Sequence, residues 1–99
     1  MAQVARDPRL ESDIDYHLEY QFHQWNNIPD VAEHWAEMDA IDQEVFHLEW
    51  VGITESRLTM LGQWAEQGLL TPAQRARYDE LLQLVARCRP LLDRLLAEA

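Results

Sequence analysis

Glu44 and His47 stand three residues apart in the stretch EVFHLEW, and Glu37 lies seven residues before Glu44. On a helix, positions three, four and seven apart share one side, so these groups would present two carboxylates and an imidazole together. The pattern is not isolated. All four histidines, His17, His23, His34 and His47, fall in the first half of the chain, with Asp13, Glu19, Asp30 and Glu44 each within one helical turn of its histidine. Such groups can hold a divalent metal, or form the acid–histidine pairs of a solvated helix face. Histidines beside carboxylates are also expected to hold their protons above the ordinary range, which is the material of a pH-sensitive interface. Nucleophilic chemistry has less to work with. Cys88 sits on an apolar seam with no histidine near it in sequence, the serines and threonines lie in no activating motif, and there is no glycine-rich phosphate loop.

The Glu44-x-x-His47 pair, set in a helical chain, resembles the ferritin-like di-iron carboxylate proteins, including the short encapsulated ferritins that complete their site across a dimer. The resemblance covers that pair and the helical architecture, and the second Glu-x-x-His of full-length members is absent. It implies iron or manganese held by Glu37, Glu44, His47 and a first-helix glutamate, for which Glu19 is the placed candidate.

An all-α chain is expected to position these residues, because no period-two run suggests a strand. Residues 1–11, with Pro8 and mixed charge, read as a loose arm, and residues 12–99 as one helical domain. Ser12 with Asp15 predicts a cap and a helix over about 12–26, whose Ile14, Leu18, Phe22 and Trp25 form one stripe. NNIPD, residues 26–30, predicts a stop and a restart with Asp30 as the next cap. Helical pattern then runs over 31–67, with Gly52 as a possible bend or break. Val31, Trp35, Met38, Ile41, Val45 and Leu48 make its first stripe; Phe46, Trp50, Ile53, Met60, Leu61 and Trp64 make a second, about a third of a turn away. Gly68 suits the left-handed residue after a helix, and Thr71, Pro72 and Gln74 read as a capping box opening a helix over 72–97. Its seam of Tyr78, Leu81, Val85, Cys88, Leu92 and Leu95 continues in phase past Pro90. The expected architecture is an antiparallel hairpin plus a shorter leading helix, paired as a dimer into a helical bundle.

Charge narrows the function classes. Of 99 residues, the first fifty hold twelve acids and two arginines, whereas the remainder holds six of each, and lysine is absent. An acidic face repels phosphate, which argues against direct nucleic-acid binding, and it attracts basic protein surfaces. No apolar run reaches the ~20 residues of a membrane span. The start has no signal-peptide pattern and the single cysteine suits a reducing compartment, so a cytoplasmic protein is expected. The resulting expectation is a non-enzymatic interaction protein, an adaptor, inhibitor, immunity-type or antitoxin-type regulator. Asp13, Asp15 and Glu19 are its expected contact acids, and Trp25 and Trp50 its apolar anchors. A structural oligomerisation subunit is the remaining alternative.

Overall fold

The computed structural model describes residues 7–98, and they are almost wholly helical. The first helix, α1 (Pro8–Asn26), starts earlier than Ser12 because Asp7 and Pro8 supply a stronger signal. The Asp7 side chain accepts from the Arg9 amide at 2.9 Å, and proline is tolerated in a first turn whose amides lack partners. Residues 7–11 are therefore cap and helix rather than arm, while residues 1–6 of that expected arm lie outside the described residues. Ile14, Leu18 and Trp25 are buried, as the stripe required, and Phe22 packs against them.

The restart after α1 comes at once. Short α2 (Ile28–His34) has Pro29 in its first turn, so Asp30 lies inside the helix instead of capping it. A 3₁₀ turn, Trp35–Glu37, follows, and then the chain leaves helical geometry at Met38, whose ψ is 140°. Asp39 caps the next helix by accepting from the Asp42 amide at 2.8 Å. The expected continuous helix over 31–67 is thus broken at Met38, not at Gly52.

Beyond the break, α3 (Ala40–Glu49), a π-helical segment (Trp50–Glu55) and α4 (Ser56–Glu66) run on without interruption. Gly52 sits in the π segment with open space around its Cα, so this glycine neither stops the helix nor admits a close neighbour. The wider π turns rotate the chain, and Trp50 at their start and Leu61 beyond them both point into the core.

Gly68, at φ 73°, ends α4 in the left-handed conformation that glycine adopts at low cost. Thr71 Oγ1 then accepts from the Gln74 amide at 3.1 Å, and Gln74 Oε1 accepts from the Thr71 amide at 3.0 Å. This reciprocal box opens α5 (Pro72–Glu98), which passes through Pro90 and buries all six residues of its seam. The backbones of α1 and α2 lie extensively against α5, with α1 running along it, while Leu61 of α4 joins the same core as the α5 seam. The core runs from Ile14, Leu18, Trp25 and Ile28 across to Leu81, Leu84, Leu92 and Leu61. No helix among the described residues is long and apolar enough to cross a membrane.

Candidate interaction surfaces and the polar network behind them

Trp25 and Trp50, expected as surface anchors, lie in the core with 0% and 2% of their surface exposed. Their rings meet edge-on at 4.8 Å between centroids. A side chain so covered offers a partner nothing. The reason both point inward is polar as much as apolar: each indole N–H finds a partner inside the fold. Trp25 Nε1 donates to Gln21 Oε1 at 3.0 Å, and Trp50 Nε1 donates to Glu55 Oε2 at 3.0 Å.

Around these two rings the structure closes a network absent from the sequence expectations. Gln21, fully buried on α1, donates Nε2 to the Thr54 carbonyl in the π segment at 2.9 Å. Tyr20 Oη lies 3.4 Å from Thr54 Oγ1, and the Arg57 guanidinium stacks on the Tyr20 ring at 4.9 Å. Glu55 accepts both guanidinium nitrogens of Arg89 from α5, and Arg89 stacks on Trp25 at 4.8 Å. Three elements, α1, the π segment and α5, are fixed to one another here. The only sequence hint was a glutamine on the buried stripe between Leu18 and Trp25.

The acids of α1 have more compensation than their charge count implied. Gln74 donates Nε2 to Asp15 Oδ1 at 2.9 Å and to the Glu11 carbonyl at 3.0 Å, and Arg77 pairs with Glu19 at 2.8 Å while lying over the Phe22 ring. These contacts line a cleft of about 340 Å³ between α1 and the start of α5. Asp13 remains exposed, with no ion pair among the described residues. Among the described ion pairs, the arginines of α5 take Arg77 to Glu19, Arg89 to Glu55 and Arg75 to Asp79, and none reaches Asp42 or Glu44.

The candidate metal ligands do not gather within one chain. Among the described residues, the group within ligand distance is Asp30, Glu33 and His34, whose donor atoms lie within 4.8 Å of one another. All three are exposed on one turn of α2, the arrangement of an ordinary helical acid–histidine pair. Glu19 is engaged by Arg77, and Glu37, Glu44 and His47 lie on the 3₁₀ turn and α3. The site that the ferritin resemblance implies would therefore need a second copy.

The histidines split in direction. His34 donates its Nδ1–H to the Asp30 carbonyl, 2.9 Å away, and that bond, with the acids around it, raises its pKa. His17 goes the other way: burial beside Trp64 and Tyr16, and then the Arg57 charge, lower it, with Asp13 opposing. The expectation that every acid–histidine pair raises its imidazole fails at His17, where desolvation outweighs the carboxylate.

The surface that remains uncovered is on α3. Ile41 is 74% exposed, Val45 45% and Leu48 65%, although these residues were expected to finish a buried stripe. The opposite side of α3 faces inward through Phe46, whose ring meets Trp35 at 5.6 Å and stacks on Trp50 at 5.6 Å. The break at Met38 frees α3 from the phase of α2, and aromatic packing then decides which of its two apolar faces is covered. Gln43 fixes that choice by donating Nε2 to the Trp35 carbonyl at 2.7 Å. No family model matches the chain, and neither the curated proteins nor the solved structures give a match.

Proposed function

We propose that the protein is a non-enzymatic helical interaction protein, a small adaptor or inhibitor-type regulator that binds a basic protein surface. The observation that carries this reading is the segregation of charge, twelve acids against two arginines in the first fifty residues. Its structural support is that this charge is largely left unpaired. Among the described residues, Asp13, Glu33, Glu37, Asp42, Glu44 and Glu49 enter no ion pair, and the α5 arginines that do form pairs, Arg75, Arg77 and Arg89, go to Asp79, Glu19 and Glu55 instead. A concentration of unpaired acid costs self-repulsion and is relieved by a cationic partner.

The same reading has the chain acting in the cytoplasm and pairing with itself as a dimer. Its shape supports self-association: the radius of gyration is 15.8 Å, against about 13 Å for a compact domain of this length. Affinity purification of the tagged chain from its host, at about 50 mM and about 300 mM salt, tests the function directly. A partner of net positive charge that is retained at low salt and released at high salt is the expected result. Recovery of the chain alone at both concentrations, with native mass spectrometry showing only a homo-oligomer, would replace the reading with that of a structural oligomerisation subunit.

A further inference from the structure

We infer that the outer face of α3 is where the basic partner docks, and that the docking element is an amphipathic helix with an aliphatic stripe between rows of lysine or arginine. This rests on the reading just given and adds the place and the chemistry of contact. Successive residues on a helix turn by 100°, which puts Ile41, Val45 and Leu48 on one line, directly opposite Phe46 and Trp50. Val51, 52% exposed, extends the uncovered apolar surface into the π segment.

What flanks this line determines what can cover it. Glu44 lies along one edge and Asp42 and Glu49 along the other, all three exposed. A second copy laid on the same face would bring identical acidic rows against these, a like-charge arrangement that disfavours pairing. A helix with lysine or arginine on both edges meets apolar surface with apolar surface and acid with base, in the manner of a helix laid along another helix. The arginines of this chain do not supply that complement, since none of the described ion pairs reaches Asp42, Glu44 or Glu49. The face is also firmly presented, because Phe46 and Gln43 hold its reverse side.

A fluorescein-labelled peptide of about 18 residues, long enough to hold helix on contact, provides the probe. It carries leucines at steps of three and four between two rows of lysine. Two controls share its length, one with glutamate for lysine and one with serine for leucine. Anisotropy is measured against the full chain, its Ile41→Ser/Leu48→Ser variant, its Asp42→Asn/Glu44→Gln/Glu49→Gln variant and its Asp13→Asn/Asp15→Asn/Glu19→Gln variant. Ile41 and Leu48 are exposed, so circular dichroism is expected to show the serine variant folded. The lysine–leucine peptide should bind in preference to both controls, and the serine variant should weaken it at least about tenfold. The α3 charge variant should weaken it and flatten its salt dependence, whereas the α1 variant should bind as the wild type does. Loss confined to the α1 variant overturns the docking face while leaving the proposed function standing, which the purification experiment tests separately. Equal binding by all variants, or by all three peptides, also overturns the docking face. So does a dimer in native mass spectrometry that the serine variant abolishes, since a second copy would then be the occupant.

Discussion

Replacing Gln21 by methionine tests whether the polar network holds the π segment against α1. Methionine keeps the length and most of the volume of glutamine but removes both hydrogen-bonding ends. Two partners are then stranded inside the fold: the Trp25 indole N–H, now 3.0 Å from Gln21 Oε1, and the Thr54 carbonyl, now 2.9 Å from Gln21 Nε2. A buried polar group left without a partner costs about 1–3 kcal/mol, so the pair costs about 2–6 kcal/mol, of which added apolar burial returns about 1. The expected loss of about 1–5 kcal/mol, centred near ~3, is a large fraction of the ~5–15 kcal/mol typical of a folded domain. Urea unfolding monitored by tryptophan emission is the assay. With a slope near 1–1.5 kcal/mol/M for a chain of this size, the midpoint should fall by about 2 M at constant slope. A fall of less than ~0.5 M would refute the reasoning, because it would mean that water or another side chain satisfies both groups once Gln21 is gone.

Three further outcomes are expected. In a double-mutant cycle of Glu55→Gln with Arg89→Met, the coupling should be about 1 kcal/mol, at the top of the surface-pair range because the contact is bidentate, yet limited by exposures of 28% and 37%; a value near zero would mean that solvent screens the pair. Gly68→Ala should cost about 1–2 kcal/mol in chemical denaturation, all of it conformational, since φ is 73° and no atom lies within 4 Å of the added methyl. The histidines should give opposite pH dependences. His17, lowered in the fold, destabilises the protein as pH falls below its ordinary 6.5, because the unfolded chain then binds the proton more readily. His34, raised in the fold, contributes stability below 6.5 that is lost as pH rises through its folded value. NMR titration should place the two on opposite sides of 6.5, and coincident midpoints would contradict both causes.

What was legible in the sequence was local or belonged to a single helix. Gly68, Thr71, Pro72 and Gln74 specify the turn and the start of α5 because each acts on backbone within three residues of itself. The seam of α5 could be read because one uninterrupted helix keeps its phase, so Tyr78 through Leu95 share a face whatever covers it. Two further starts of the same local kind stand in the sequence. Asp7–Pro8 is a cap followed by proline, and Asp39 with Asp42 is an acidic capping pair; either would have moved a boundary to its place.

By itself, then, the sequence determined an all-α chain, its clearest turn, the seam of its last helix and the confinement of excess acid to the first half. Tertiary structure alone decided which apolar faces are covered and which acids are neutralised. An apolar stripe states that a face favours cover, and it cannot say whether this chain provides it: α3 has two such faces, and the Trp35–Phe46–Trp50 stack covers one and leaves Ile41, Val45 and Leu48 to solvent. Arg77 and Arg89 likewise reach Glu19 and Glu55 across 58 and 34 residues of chain, distances over which neither composition nor spacing carries information.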